Sequence, residues 1–220
     1  MKLVLIRHGQ TAANLSAALD TRLPGLPLTN LGQSQAESLS ERFSKEVGDR
    51  LDALTVSAMT RTRQTAAPLC ARYGVKPQVS AQIREVSAGD YEMSSSPVAI
   101  RVYVEACYAW MNANFAHRMP GAEDGYEFLG RVVPIIRDVM ERAYRSGGDE
   151  AVGGIVAHGG LIRVLSAVLS EDIRLGVSPT QFMSNTGMAV FEANIDEFRR
   201  LRSGEVAYLK ALSWDGHQLR

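Results

Sequence analysis

The sequence predicts one α/β domain, a three-layer α/β/α sandwich around a mainly parallel sheet. Short apolar runs, typical of strands that are buried on both faces, alternate along the chain with amphipathic helical segments. The 220 residues, 45% of them hydrophobic, suffice for one full core. The chain contains no internal repeat, low-complexity stretch or linker, so we expect a single domain over residues 1–220.

Five segments are predicted to be strands. The first three have the pattern of buried parallel strands. The last two resemble antiparallel or edge strands, with a tight connection at Phe198–Arg200 and Ser203-Gly204. In chain order the segments are Leu3–Arg7, Ala53–Ser57, Gly154–His158, Met188–Ala193 and Glu205–Leu212.

The first long helix is predicted to follow Thr29, because a threonine hydroxyl is a common cap of a helix N-terminus. Leu31, Leu39, Phe43 and Val47 recur at the spacing of one helical face. We therefore expect a helix that extends to about Val47 and turns that face toward the sheet.

Three further helices are predicted. One covers residues 60–73 and ends at Gly74, and another covers residues 160–170. The third covers residues 125–145 and contains Pro134. Because proline removes a backbone hydrogen bond, we expect a kink or a break at that position.

The stretch from Ser94 to Ala122 shows no clear periodicity, so we expect a lid or insertion at about 94–122, on the active edge of the sheet. It contains aromatic residues around Cys107, among them Tyr103 and Trp110. Two interpretations stay open for this cluster. It either packs as a small core of its own or shapes the wall of a ligand pocket.

Charge and composition exclude several classes of partner. Lysine plus arginine and aspartate plus glutamate both total 24, so the formal net charge is zero. A general nucleic-acid or membrane-surface binder would need a basic excess. No apolar run approaches the roughly 20 residues of a membrane span, and the first residues lack a signal-peptide pattern. Cys70 and Cys107 are too few for a disulfide framework or a cysteine-based zinc site. We expect a cytoplasmic protein; its oligomeric state is open.

Polar residues follow three of the predicted strands where those strands end. Arg7 and His8 end the first strand, Arg61 lies in the first turn of the helix after the second, and His158 ends the third. Parallel neighbouring strands end on the same side of a sheet, so these side chains are expected to converge. Gly9 is expected to let a ligand approach the backbone closely.

Two guanidiniums and several helix N-termini form a site for a tetrahedral anion. Arginine makes bidentate bonds to phosphate-like oxygens, which one lysine does not. The backbone N–H groups that begin the helices after Gly9, Arg61 and Gly159 add further donors. For His8 taken alone, a buried structural histidine is the alternative; Arg7 and the second His-Gly pair at His158 favour a functional role.

Five ordered segments together form a family-like pattern. They are Arg7-His8-Gly9; Pro27-Leu28-Thr29 with Gly32, Gln35 and Ala36; Arg61 with Gln64, Thr65 and Ala66; Glu85 with Gly89, Tyr91 and Glu92; and His158-Gly159-Gly160. In order and spacing they resemble the histidine phosphatase superfamily, also called phosphoglycerate-mutase-like. The resemblance covers nearly the whole chain and implies the fold of that family.

The resemblance also implies a role for each matched residue. His8 is the expected nucleophile, which forms a phosphohistidine, while Arg7, Arg61 and His158 bind the phosphoryl oxygens. Glu85 is the expected acid and base, with Glu92 as its competitor for that role. Substrate contacts are expected from Asn14, Thr11 and Gly159. For Asn14 and Thr11, a purely structural role in the turn is an equal alternative.

The resemblance therefore implies a phosphoric monoester hydrolase of the histidine acid phosphatase type that needs no metal or cofactor. Its expected partner is a small phosphorylated metabolite. Two alternatives stay open: a phosphoglycerate mutase, and a catalytically silent module that binds a phosphate ligand. A short segment after Glu85 favours hydrolysis. Four arginines are candidates to contact an acidic leaving group, each with a solvated surface charge as the alternative: Arg22, Arg84, Arg101 and Arg118.

Overall fold

The computed structural model describes residues 1–177, 181–200 and 209–219. Within these ranges the strands are β1 (Lys2–Arg7), β2 (Ala53–Ser57), β3 (Gln78–Ser80), β4 (Val152–Ala157), β5 (Met188–Glu192), β6 (Lys210–Trp214) and β7 (His217–Gln218). They form one sheet in the order β3-β2-β4-β1-β5-β6-β7. The pairs from β3 to β1 are parallel, whereas β5, β6 and β7 join antiparallel.

Helices cover both faces of this sheet. They are α1 (Ala12–Ser16), α2 (Asn30–Glu46), α3 (Thr60–Tyr73), α4 (Pro97–Met111), α5 (Gly125–Gly147), α6 (Gly159–Leu169), α7 (Glu171–Gly176) and α8 (Ile195–Arg200). Residues of α2 and α3 pack in one core, and residues of α4, α5 and α6 pack in the other. The three-layer α/β sandwich predicted from the sequence is therefore confirmed.

Strand β1 shows why the sheet lies in the middle. Its side chains alternate, with Leu3 and Leu5 in one core and Val4 and Ile6 in the other. All four are fully buried. Since side chains of a strand point alternately to the two faces, a strand that is apolar at every position must be covered by helices on both sides.

The first four strand predictions hold with small shifts in their ends, and the fifth overlaps β6 at Lys210–Leu212. The antiparallel pairing of the last two is confirmed. The expected tight connection between them is wrong at its first half, because residues 195–200 form α8. Ser203-Gly204 and the start of the predicted strand at Glu205 lie outside the described residues; β6 begins at Lys210.

Helix α2 has the predicted cap but a different buried face. The Thr29 hydroxyl accepts a hydrogen bond from the Gly32 N–H at 3.1 Å. Leu31, predicted to be buried, is 55% exposed. The buried row is Gly32, Ala36, Leu39 and Phe43, at i, i+4, i+7 and i+11. Leu31 lies one residue, about 100° of rotation, away from that row.

Pro134 neither ends nor interrupts α5, which continues from Gly125 to Gly147. Pro134 and Gly130 are both exposed. The proline lacks the N–H that would bond to the carbonyl of Gly130, four residues earlier, and water reaches that carbonyl on the exposed face. Gly130 also has no side chain to crowd the ring. The predicted break is therefore wrong, and the alternative of a kink stays a prediction.

The stretch from Ser94 to Ala122 contains a regular helix, α4, although no periodicity was expected there. Ser96 caps it, and Ala99, Tyr103, Ala106 and Trp110 form its buried row. The Trp110 ring packs against Phe128 of α5 with 5.3 Å between ring centroids. This part of the aromatic cluster thus belongs to the main core, and the lid role of the segment stays a prediction.

Candidate active site

The two histidines meet because their strands are parallel neighbours. Arg7 of β1 lies opposite Ala157 of β4, so His8 and His158 leave the sheet side by side. The His8 N–H donates to the Ala157 carbonyl at 3.1 Å. The centroids of the two imidazole rings are 5.3 Å apart.

The hydrogen bonds of His8 decide which ring nitrogen carries its proton. Nδ1 lies 2.7 Å from the Gly9 carbonyl, which only accepts, so Nδ1 is the donor. Nε2 accepts a hydrogen bond from Nε of Arg61 at 3.0 Å. Burial, followed by the charges of Arg61 and Arg7, holds the pKa of His8 well below its ordinary value. His8 therefore presents an unprotonated Nε2 beside a guanidinium.

Arg61 lies in the first turn of α3, as predicted, and is held from its other side by Asp20. Nη1 contacts Oδ2 of Asp20 at 3.2 Å, and Nη2 donates to the Asp20 main-chain carbonyl at 2.8 Å. Both side chains are almost fully buried. This ion pair fixes the guanidinium so that its Nε faces His8.

Asp20 escaped the sequence analysis because it belongs to no strand end and no motif. The Asp20 carboxylate also accepts a hydrogen bond from the Leu26 N–H at 2.8 Å. This bond folds residues 20–26 around Arg61. Gly25 has a φ of +69°, and a Cβ there would lie 2.5 Å from Nη1 of Arg61. The only signal in the sequence was a lone acid close to a glycine-containing turn.

Two buried side-chain nitrogen atoms of the site have no hydrogen-bond partner among the described residues. They are Nε of Arg7 and Nδ1 of His158. The other ring nitrogen of His158, Nε2, lies 2.8 Å from the Ser57 hydroxyl at the end of β2. Burial and the charge of Arg61 hold the pKa of His158 well below its ordinary value. Nε of Arg7 can donate to an oxygen of a bound anion, and Nδ1 of His158 can do so in the tautomer in which Ser57 donates to Nε2.

Arg7 lies across the start of α6. Its Nη1 donates to the Met183 carbonyl, and a Cβ at Gly159 would lie 3.2 Å from its Nε. The missing side chain at Gly159 thus makes room for the Arg7 guanidinium as well as for a substrate.

Glu85 lies at the N-terminus of α6. Its Oε2 accepts from the Gly160 N–H at 2.9 Å, and its Oε1 accepts from the Leu161 N–H at 2.7 Å. The Tyr103 hydroxyl of α4 is also hydrogen-bonded to this carboxylate. Burial, together with the charge of Glu85, raises the pKa of Tyr103 well above its ordinary value. Tyr103 is a second residue that the motifs did not reveal as part of the site.

An ion pair on α5 supports the segment that carries Glu85. The Arg131 guanidinium donates to the carbonyls of Gln82, Arg84 and Glu85 and pairs with Glu123. Both side chains of the pair are more than nine-tenths buried. One arginine therefore fixes the backbone on both sides of the acidic residue.

Thr11 and Asn14 form a reciprocal cap on α1. The Thr11 hydroxyl accepts from the Asn14 N–H at 3.3 Å, and Oδ1 of Asn14 accepts from the Thr11 N–H at 3.0 Å. Asn185 donates to the same Oδ1 and to the His8 carbonyl. Thr11 and Asn14 therefore have the structural role that was one of the two alternatives. Both residues also line the cleft described below.

The close approach expected at Gly9 involves the protein itself. A Cβ at Gly9 would lie 2.5 Å from the Gly32 carbonyl, and one at Gly32 would lie 2.2 Å from the Gln10 carbonyl. The loop after β1 therefore packs directly on the backbone of α2. The expected ligand approach at Gly9 is replaced by this contact.

These groups border a cleft of about 290 Å³. Its described lining includes Arg7, His8, Asp20, Arg61 and Glu85. His158 is fully buried against His8. Glu92 lies elsewhere in the network, where its carboxylate binds the N–H groups of Thr21 and Arg22. It holds a loop, and its hydrogen bonds to the described residues reach neither histidine.

The four arginines considered for an acidic leaving group are engaged elsewhere. Arg22 donates to the Gly89 carbonyl, Arg84 pairs with Glu123, Arg101 with Glu105, and Arg118 with Asp124 and Glu127. None of the four is among the described residues that line the cleft. The surface-charge alternative is the one that the structure supports.

The described part of the chain contains neither a candidate metal-binding cluster nor a candidate membrane-spanning helix. No group of three or more histidine, cysteine, aspartate or glutamate side chains is placed to hold a metal ion there. None of the helices described is both long enough and apolar enough to cross a membrane.

A family model for the histidine phosphatase superfamily, branch 1, matches residues 3–205. The chain belongs to this family. It is 31% identical over 173 residues to a glucosyl-3-phosphoglycerate phosphatase of Mycobacterium tuberculosis, covering 76% of this chain and 74% of that protein. It is 30% identical to a 2,3-bisphosphoglycerate-dependent phosphoglycerate mutase of a Methylobacterium species, covering 76% and 79%.

A PE-PGRS family protein of Mycobacterium tuberculosis is 36% identical over 107 residues, which cover 48% of this chain but 18% of that longer protein. Among solved structures, a mycobacterial glucosyl-3-phosphoglycerate phosphatase in complex with inorganic phosphate superposes with a TM-score of 0.70. Its sequence is 26% identical, and the match covers 98% of this chain and 97% of that one. Family and fold therefore agree with the resemblance in the sequence.

Proposed function

We propose that this protein is a phosphomonoesterase that hydrolyses a small phosphorylated metabolite through a phosphohistidine on His8, without a metal ion. The observation that carries the proposal is the unprotonated Nε2 of His8, directed at a cleft that also holds Arg7, Arg61 and Glu85. The relatives named as phosphatases of small metabolites support it.

In the first step, Nε2 of His8 attacks phosphorus, the new P–N bond forms, and the P–O bond to the leaving group breaks. Glu85 is protonated in the reactive complex, and it gives this proton to the leaving oxygen and becomes the carboxylate that acts in the second step. Negative charge on the equatorial phosphoryl oxygens is stabilised by Arg7, Arg61 and Nδ1–H of His158. The Arg61 Nε–H that now faces Nε2 turns to a phosphoryl oxygen as the nucleophile becomes engaged.

In the second step, water attacks the phosphohistidine and the P–N bond breaks. Glu85 accepts a proton from that water, and inorganic phosphate leaves with His8 restored. Splitting one displacement into two is the advantage of a covalent intermediate. Ser57 donates to Nε2 of His158 in this scheme, which leaves Nδ1 as the protonated nitrogen that faces the anion.

The acid phosphatase type of the reaction is part of the proposal and follows from His8. Its lowered pKa keeps Nε2 free of a proton in mildly acidic solution. We expect kcat at saturating substrate to remain high as the pH falls through about 6.5, where an ordinary histidine takes up its proton. In contrast, kcat/KM also follows the second ionisation of the substrate, which has a pKa of about 6. A pH profile of kcat from 4 to 8 measures this. An acidic limb of kcat centred near pH 6.5 would contradict the assignment.

Trapping the intermediate tests the central claim. Rapid acid-free quench with a phosphorus-labelled aryl phosphate should leave label on the protein at His8, in a bond stable to base. His8→Ala should remove both the label and turnover, whereas His217→Ala, at an exposed histidine, should keep both. Unchanged phosphate release by His8→Ala would sink the proposal, and binding of phosphate without turnover in the native protein would favour the silent module.

Mutase activity is the alternative within the same chemistry. It requires that the cleft retain a carboxylated product for return of the phosphoryl group. Assaying 3-phosphoglycerate with and without a bisphosphorylated primer separates the two, and we expect phosphate release without primer. The cytoplasmic location expected from the sequence stays a prediction.

A further inference from the structure

Apart from the reacting groups, the cleft lining is mostly apolar. Two of the contributing side chains, Ile100 and Val104, lie one turn apart on α4 and share a face. Phe182 belongs to the same lining and is 57% exposed. The lining also includes Ala17, Ala18 and Leu19, which follow α1. Three separate parts of the chain therefore supply apolar surface around the position of a leaving group.

The described lining of the cleft offers no cation to spare for a leaving group. The charged residues of the described lining are Arg7 and Arg61, with Asp20 and Glu85 opposite them. Both guanidiniums are needed for the phosphoryl oxygens, and Arg61 is already paired with Asp20. A carboxylate on the leaving group would thus find no cation of its own among the described lining residues. Such a charge is costly to desolvate.

Most side-chain oxygen atoms of the polar residues in the lining are already hydrogen-bonded within the protein. Thr11 and Asn14 cap α1, the Thr21 hydroxyl bonds to Glu92, and the Tyr103 hydroxyl is bonded to Glu85. A sugar or glycerol group would bring several hydroxyls into this space. The Nδ2 group of Asn14 and the Thr11 hydroxyl can donate to one or two of them, and the rest would compete with existing bonds or lose their own bonds to water.

We propose that the substrates of this site are phosphomonoesters with a small, uncharged, apolar leaving group, such as a single ring or a short alkyl chain. This inference rests on the proposed function and names its substrate class. The cleft of about 290 Å³ lies near the low end of the roughly 300–1,000 Å³ typical of small-molecule sites, which sets the size.

The proposed substrate class is tested by the turnover of four alkyl phosphate esters, each of which releases a primary alcohol. The esters are 2-phenylethyl phosphate, glycerol 3-phosphate, 3-phosphoglycerate and phosphocholine. We expect kcat/KM for the phenylethyl ester to exceed each of the others by at least about 30-fold. Equal or greater kcat/KM for any of the other three overturns the proposal.

A change in the apolar wall provides the matched test. Ile100→Lys places a cation on the lining face of α4, and we expect it to shift the ratio of kcat/KM from the phenylethyl ester toward 3-phosphoglycerate by at least about tenfold. Val98→Lys is the control, since Val98 is exposed on the same helix and is not in the described lining. A ratio that shifts equally in both variants contradicts the assignment of this face.

Affinity separates this inference from the proposed function. Calorimetry with 2-phenylethylphosphonate and 2-carboxyethylphosphonate compares leaving-group mimics that are not cleaved. Binding of the phenylethyl compound that is tighter by at least about tenfold supports the proposed substrate class. If the protein binds in this way but shows no turnover, only the proposal that it is a hydrolase fails. Equal or tighter binding of the carboxylated compound overturns the class even if turnover is observed.

Discussion

At His8, a backbone carbonyl decides what the side chain does. The sequence shows an arginine, a histidine and a glycine after a strand, but the Gly9 carbonyl fixes the proton on Nδ1 and leaves Nε2 as the reactive atom. The tautomer of His8 depends on the 2.7 Å contact between its Nδ1 and the Gly9 carbonyl, and a sequence motif does not specify such a contact. The residue was predictable; its reacting nitrogen was not.

The negative charge of Asp20 is expected to weaken the binding of an anion beside Arg61, and a substitution of similar shape tests this role. Asp20→Asn keeps the main-chain bond to Arg61 but removes the buried negative charge. We expect inorganic phosphate to bind about tenfold more tightly, because roughly 1.4 kcal/mol of repulsion is lost. We also expect the free energy of unfolding to fall by about 2–3 kcal/mol, since Arg61 loses its buried partner.

Calorimetric titration with phosphate and urea unfolding measure the two effects of Asp20→Asn. The control is Asp149→Asn, at an exposed aspartate, which should change neither. A merely structural role for Asp20 would weaken phosphate binding along with stability. That joint loss would refute the electrostatic role.

The two buried histidines also make stability depend on pH. Their pKa values are lowered in the folded protein, so the unfolded chain takes up protons first as the pH falls through about 6.5. The unfolded state then binds more protons, and stability falls with decreasing pH. Between pH 6.5 and 5.5 we expect the free energy of unfolding to fall by about 1–3 kcal/mol.

Urea unfolding at pH 7.5, 6.5 and 5.5 checks this slope. His8→Asn removes one of the two groups and should flatten the slope by about half, while His217→Gln, at an exposed ring, should leave it unchanged. The same slope in His8→Asn as in the native protein would show that other groups cause the loss.

Among the elements, the strand ends followed from the sequence and several helix details did not. The apolar runs that end at Arg7 and His158 are predicted to be buried strands, because both their length and the polar residue that follows indicate a strand that ends there. The face of α2 was mistaken because Leu31 fits an apolar row almost as well as Gly32 does. Helix α4 was missed because its buried row includes two alanines, whose small side chains give weak periodicity.

Helix α5 has a positioning role through Arg131, which no motif contains. Arg131→Lys keeps the charge beside Glu123 but loses the planar fork that reaches three carbonyls. We expect kcat to fall about 10-fold or more with a smaller change in KM, because the Glu85 segment loses its fixed geometry. Amide hydrogen exchange over residues 82–87 should become faster.

The comparison for Arg131→Lys is Arg145→Lys, an exposed arginine on the same helix. It should leave both kcat and the exchange rates unchanged. A lower kcat without faster exchange in residues 82–87 would mean that Arg131 acts in some way other than by holding this segment.

For the molecule as a whole, the sheet topology is what brings the distant segments of the candidate site together. Parallel neighbours β1, β4 and β2 end on one side, so residues 7–8, 57–61 and 158 meet there as the sequence predicts. Asp20, Tyr103 and Asn185 come from a loop, a helix and a segment far along the chain. Their approach is set by tertiary packing, which a single sequence does not display.

Because the anion site joins residues from β1, α3 and the loop after β4, a bound phosphate should stabilise the entire fold. Linkage gives about 2.7 kcal/mol of added stability at a phosphate concentration 100 times Kd. Urea unfolding with and without phosphate, at constant ionic strength, measures this gain. Arg61→Met should abolish it, whereas Arg63→Met, at an exposed neighbour on the same helix, should retain it. An equal gain in Arg61→Met would place phosphate somewhere other than beside His8.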